Sequence, residues 1–162
     1  MNRILTLIGM TVAFFLAELI AMNFFGRWFT PNLLILLVIF VDLHLGVRFG
    51  LFVAILAGIL NDSFGNGIFG ANIFAFVLCV YVTTLLRRYF FYDMEFGFLR
   101  ILMACLMSFL NVFVVYLIFS LNRTFDFAQV LAFIVLPQVL STTLVATVIF
   151  RILKRCVLKL SV

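Results

Sequence analysis

The sequence has 162 residues, of which 67% are hydrophobic and 10% are charged, and its formal net charge is +5. A soluble domain is about half apolar and about a quarter charged, so this composition excludes a water-soluble globular fold and indicates a chain surrounded by lipid. The length allows six membrane-crossing helices of about 20 residues each and leaves no room for a soluble domain that could bind nucleic acid.

The apolar segments predict an all-α, polytopic membrane protein with six transmembrane helices in one integral membrane domain over residues 1–162. In chain order, the predicted helices are 4–25, 31–46, 48–64, 70–90, 98–121 and 128–152. The first is expected to be retained, because its apolar run is longer than the core of a signal peptide. We predict a hairpin with Arg48 at its tip between the second and third helices, because the apolar stretch 33–60 is too long for one span.

Small residues recur at every fourth position in two of the predicted helices. They are Ala13, Ala17 and Ala21 in the first helix and Gly50, Ala54 and Gly58 in the third. Small side chains at this spacing let a second helix approach closely, which is how helices associate in lipid without a hydrophobic driving force. Each stripe is therefore a candidate surface for helix packing or for binding a partner.

Polar residues inside the apolar segments are candidates for a buried network. Glu18 lies inside the first predicted helix, where an acid is costly to bury and indicates a function. Asn111 in the fifth helix and Gln138 in the sixth lie at comparable depth, so we predict that the three side chains form a cluster. Such a cluster either holds the helices in register or, with Glu18 as the carrier, moves protons in a channel or transporter.

Asp62 lies at the outer end of the third predicted helix, next to the negative end of that helix's dipole, and therefore needs a partner. The segment that follows is rich in glycine up to Gly70 and offers free N–H groups. We expect Asp62 to accept hydrogen bonds from this turn or from the start of the fourth helix near Asn72, with Arg27 as an alternative partner. A structural role, a ligand or ion site and a partner contact all remain open.

The basic residues predict the orientation of the chain. With six spans both termini lie on one side, and every Lys and Arg except Arg27 and Arg123 falls on that side. The positive-inside rule places this side in the cytoplasm, where the basic tail is expected to meet anionic membrane lipids. We therefore expect a bacterial inner-membrane protein with cytoplasmic N- and C-termini.

No residue set in the sequence is typical of catalysis or of cofactor binding. There is no nucleophile beside a base and no Gly-rich phosphate loop after a strand. His44 is the single histidine, and Cys79, Cys105 and Cys156 lack the close spacing of metal ligands. We expect a protein that is not an enzyme and has no metal and no cofactor.

The stretch 30–82 resembles the rod shape-determining protein MreD family. The matching residues are Pro31 and Asn32 before an apolar helix, then Gly50, Gly58, Asp62 and Gly70 within GLFVAILAGILNDSFGNGIFGANIFAF. The length, the number of predicted helices and the lack of a soluble domain are also similar to that family.

The resemblance implies a non-enzymatic scaffold of the bacterial cell-elongation machinery, which helps to organise peptidoglycan synthesis and regulates cell shape. The implied partners are MreC, MreB filaments and the SEDS-family glycosyltransferase with its class B penicillin-binding protein. The implied fold is similar to the substrate-binding components of energy-coupling-factor transporters, which also dock through small residues on their first helix. The alternative function is a small-molecule-binding component of such a transporter, which requires a pocket that opens to the outside.

Overall fold

The computed structural model describes residues 2–25, 30–65, 68–89, 97–120 and 135–161. Over these residues it consists of helices, which confirms the predicted all-α class. They are α1 (Asn2–Phe25), α2 (Leu33–Leu45), α3 (Val47–Phe64), α4 (Ala71–Tyr89), α5 (Gly97–Ser120) and α6 (Leu136–Ser161). Residues 128–134 of the predicted sixth helix lie outside the described residues.

Four of the six helices are long and apolar enough to cross a membrane. These spans are Arg3–Phe24 in α1, the whole of α3 and α4, and Ile101–Ser120 in α5. The other two apolar segments, α2 and Leu136–Phe150 of α6, are shorter. With 13 residues α2 is about 20 Å long, which is less than the roughly 30 Å of a bilayer's hydrocarbon core.

The short helix α2 is the centre of the bundle. It packs against each of the five other described helices, and every residue from Leu33 to Leu43 is buried. A helix that is covered on all sides has to be apolar all round, which explains its sequence LLILLVIFVDLHL. In contrast, α1 exposes large apolar side chains such as Leu5, Leu16 and Ile20, so it lies at the edge of the bundle.

The break between α2 and α3 lies at a single residue, Gly46, and the prediction that placed it at Arg48 was wrong. Gly46 has a φ of +90°, a conformation that glycine adopts without strain, and its N–H donates to the carbonyl of Asp42 at 3.1 Å. Arg48 is an exposed residue in the first turn of α3. Charge marks the end of a membrane helix only approximately, whereas the backbone geometry decides where the chain reverses.

The Gly50–Ala54–Gly58 stripe of α3 faces the inside of the bundle, and all three residues are buried. A β-carbon added to Gly50 would lie 2.9 Å from Cβ of Asp42 in α2. A β-carbon added to Gly58 would lie 2.5 Å from Cα of Ile73 in α4. The stripe therefore lets α3 approach two other helices of its own chain.

Candidate functional site

The buried N-terminus of α2 is capped by an acid from α1. The N–H groups of Leu33 and Leu34 donate to Oε2 of Glu18, at 3.0 and 3.2 Å. The N–H of Ile35 donates to Oδ1 of Asn32, the N-cap residue, at 3.0 Å. The first N–H groups of a helix have no partner within the helix, so these acceptors satisfy groups that lipid would leave unpaired.

A hydroxyl group of α6 completes the cap of α2. The N–H of Asn32 donates to Oγ1 of Thr142 at 3.1 Å, and this hydroxyl donates to the carbonyl of Gln138 at 2.6 Å. Pro31, just before the cap, has no N–H that would need a partner. The start of α2 is thus held by α1, by α6 and by its own cap residue.

No hydrogen bond of the described structure joins Glu18, Asn111 and Gln138 into the predicted cluster. The carboxylate of Glu18 accepts hydrogen bonds from the backbone of α2. The main-chain carbonyl of Gln138 accepts a hydrogen bond from the hydroxyl of Thr142. Oδ1 of Asn111 is buried without a hydrogen-bond partner in the described structure. Similar depth in the membrane was a weak criterion, because the unpaired N–H groups of a buried helix end attract a carboxylate more strongly than neutral amides do.

We expect Glu18→Leu to lower the free energy of unfolding by about 2 kcal/mol, because it leaves two buried N–H groups without an acceptor. Glu18→Gln keeps an acceptor oxygen and should lose clearly less. Thermal unfolding of the purified protein in detergent, followed by circular dichroism, measures the difference. Equal melting temperatures for the wild-type protein and Glu18→Leu would show that the cap contributes nothing.

Asp62, at the end of α3, caps the N-terminus of α4. Its Oδ2 accepts from the N–H groups of Gly70 at 2.9 Å and Ile73 at 3.3 Å. Its Oδ1 accepts from the N–H of Asn72 at 3.1 Å and from the side-chain amide of Asn72 at 2.9 Å. The predicted hydrogen bonds from the turn and from the start of the fourth helix are confirmed. Arg27, the alternative partner, lies outside the described residues.

The two caps follow the same plan. In each helical hairpin, an acid on the first helix accepts hydrogen bonds from the N–H groups at the start of the next helix: Glu18 of α1 for α2, and Asp62 of α3 for α4. Each carboxylate also lies at the positive end of the helix dipole that it caps. These hydrogen bonds join α1 to α2 and α3 to α4, so both acids contribute to holding neighbouring helices together.

The sequence analysis missed a third intramembrane acid, Asp42 of α2. Its side chain is 1% exposed, and Oγ1 of Thr84 in α4 donates to its two carboxylate oxygens, each at 3.3 Å. The missing side chain at Gly50 leaves room for it. The signal was present, since Asp42 interrupts an apolar helix as Glu18 does and the cost of burying an acid applies equally to both.

The Ala13–Ala17–Ala21 stripe lies on the outer surface of α1. Ala13 and Ala17 are exposed and Ala21 is partly buried. Gly9 precedes Ala13 by one turn, and a β-carbon added to it would meet nothing within 4 Å. Of the two small-residue stripes, the one on α1 is therefore accessible to another protein, while the one on α3 is filled by its own chain.

Among the side chains that the structure describes, no three His, Cys, Asp or Glu residues are grouped so that they could hold a metal ion. In a comparison with known families, the model described as rod shape-determining protein MreD matches residues 1–157. No curated protein and no solved structure gives a significant match. The matched range includes both capped helix ends and the exposed face of α1.

Proposed function

The chain belongs to the rod shape-determining protein MreD family, and on this premise we propose that it is a non-enzymatic membrane scaffold of the bacterial cell-elongation machinery. Family membership gives it a role in rod shape determination. In the proposed mechanism it binds MreC and helps to organise peptidoglycan synthesis. The observation that carries this proposal is the family match over residues 1–157. The use of Glu18 and Asp62 to cap helices supports a structural protein.

The proposed topology has six spans in the inner membrane with both termini in the cytoplasm. Arg3 at the start of α1, Arg48 at the start of α3 and Arg87 and Arg88 at the end of α4 are exposed, which agrees with basic residues gathered at one end of the bundle. In this orientation that end faces MreB filaments.

The SEDS-family glycosyltransferase and its class B penicillin-binding protein are further proposed partners. A fold related to the substrate-binding components of energy-coupling-factor transporters belongs to the same proposal.

The exposed face of α1 is the proposed docking surface for the single membrane span of MreC. Small residues on this face, namely Gly9, Ala13 and Ala17, allow two helix backbones to approach closely. In lipid, van der Waals packing has to supply the affinity, because the surrounding acyl chains are as apolar as the helices. The stripe on α3 is not part of the proposed docking surface, because Gly58 is already covered by Ile73 of α4.

We expect Ala17→Leu to reduce the amount of MreC that co-purifies with the protein by about tenfold, equivalent to about 1.4 kcal/mol, because the larger side chain keeps the two helices apart. The measurement is a pull-down from native membranes with quantification of the recovered chains. Since Ala17 is exposed, the folded protein accommodates leucine and its yield should not change.

Thr147→Leu is the matched control for this pull-down. Thr147 is also exposed, but it lies on α6, so the change places the same leucine side chain on a different exposed surface. MreC recovery should stay at the wild-type level. Equal recovery with Ala17→Leu and Thr147→Leu would count against α1 as the docking surface.

A further inference from the structure

Ser108 and Asn111 of α5 each carry a buried side-chain oxygen that has no hydrogen-bond partner in the described structure. Their exposed fractions are 1% and 2%, and Oγ of Ser108 and Oδ1 of Asn111 have no partner. The two residues are three positions apart, which places them side by side on one face of the helix with their Cβ atoms about 5–6 Å apart. α5 packs against α2, α4 and α6, and the burial of both residues places the two atoms inside the bundle.

The hydroxyl of Ser108 behaves differently from the other hydroxyls in these helices. A helical serine or threonine in lipid satisfies its hydroxyl by donating to the backbone carbonyl three or four residues earlier. The described helical residues that do so are Thr6, Thr11, Ser63, Thr83, Ser120, Ser141, Thr142, Thr143 and Thr147. Thr84 instead donates to the buried carboxylate of Asp42. Ser108 therefore differs from all of them, because it gives up the bond to its own helix without gaining another protein partner.

The chemistry of the two atoms is complementary. The hydroxyl of Ser108 can donate a hydrogen bond, whereas Oδ1 of Asn111 can only accept one. A group that satisfies both must accept from the first and donate to the second, and it must fit into a space closed on all sides. Ala104, one turn before Ser108, is also fully buried and has a small side chain.

We propose that Ser108 and Asn111 form a binding site for one buried water molecule. The water accepts from Oγ of Ser108 and donates to Oδ1 of Asn111. Two hydrogen bonds of about 2.8 Å each can bridge oxygen atoms that lie up to about 5.6 Å apart, which suits neighbours three positions apart on a helix. No larger ligand reaches the site while the helices are packed, because both residues are almost completely covered. Neither Ser108 nor Asn111 takes part in the hydrogen bonds of the two helix caps, and the proposal does not depend on the scaffold role.

The first test is oxidation by hydroxyl radicals, generated by a brief X-ray pulse on the full-length protein in lipid nanodiscs in ¹⁸O-labelled water. A bound water produces radicals where it sits, and Met107, which is 0% exposed, lies next to Ser108 and one turn before Asn111. Met107 should gain ¹⁸O, whereas the similarly buried Met103, on the same face but one turn farther from Asn111, should gain much less. The signal on Met107 should disappear in the double variant Ser108→Ala/Asn111→Leu. A wild-type protein without label on Met107 would overturn the proposal, and so would label that persists in the double variant.

The second test is a double-mutant cycle on the melting temperature. Each single change leaves the water with one partner and should lower the melting temperature by about 2–4 °C. The double change removes both polar groups together with the water and should cost clearly less than the sum. As a control, Thr83→Val also removes a buried hydroxyl, and its effect should add to that of Asn111→Leu. Additive effects of Ser108→Ala and Asn111→Leu would refute a shared water. The proposal would also be refuted if the wild-type protein released a polar ligand other than water on denaturation and the double variant did not.

Discussion

Gly58→Ala is expected to lower the free energy of unfolding by about 3 kcal/mol, or the melting temperature by about 6–12 °C. The added β-carbon would lie 2.5 Å from Cα and 2.8 Å from N of Ile73. These are backbone atoms, so no change of rotamer relieves the clash, and α3 has to move away from α4. The readout is the labelling rate of the Cys79 thiol, which is buried on α4 and is followed by mass spectrometry during heating.

Gly9→Ala is the matched control for Gly58→Ala. It adds the same methyl group to a helical glycine that has nothing within 4 Å of the new atom. Alanine is the better helix former by roughly 0.5–1 kcal/mol, so Gly9→Ala should leave the melting temperature unchanged or raise it. If the Gly58→Ala and Gly9→Ala variants melted at the same temperature, the result would contradict a close contact between α3 and α4 at Gly58.

The sequence predicted the positions of the small-residue stripes but could not tell which stripe was available to a partner. Both repeat every four residues, and this spacing shows only that a helix can approach. The identity of the approaching helix depends on the arrangement of the bundle. For Gly58 it is α4 of the same chain, whereas Ala17 is exposed.

The partners of the acids were predictable where they were close in the sequence. Asp62 binds Gly70 and Asn72, eight and ten positions along, and the glycines between them indicated a turn that could bring the groups together. Glu18 binds Leu33 and Leu34 across the segment between α1 and α2. The apolar residues of α2 themselves give no sign that the start of this helix is buried, so they did not identify the N–H groups that bind Glu18.

The central position of α2 was also not predictable from its length. We predicted helix 31–46 as a short membrane span, and the structure places a still shorter helix, Leu33–Leu45, inside the other five. The uninterrupted apolar sequence before Asp42 would suit a lipid-facing helix as well as a fully enclosed one. The informative residues are those of the cap, Asn32 and Glu18, because a buried helix end has to be satisfied by the protein.

The largest loss of stability is expected for Asp62→Ala, at about 4 kcal/mol, or a melting temperature lower by about 8–16 °C. Asp62 is 7% exposed and accepts four hydrogen bonds, three of them from backbone N–H groups at the start of α4. Alanine leaves all four donors without their acceptor, and the helix loses the negative charge at its positive end. The measurement is thermal unfolding in detergent, with Ser63→Ala as the control, because Ser63 is the next residue and its exposed hydroxyl bonds only to its own helix.

Asp62 and Gly58 should also be coupled, because both act on Ile73. The N–H of Ile73 donates to Asp62 at 3.3 Å, and its Cα occupies the space beside Gly58. Once Gly58→Ala has pushed Ile73 away, part of the cap is already lost, so Asp62→Ala should then cost less than it does in the wild-type protein. Strict additivity in the double variant would mean that the cap and the helix contact are independent. The expected non-additivity would instead show that one residue of α4 joins the acid and the close packing into a single structural unit.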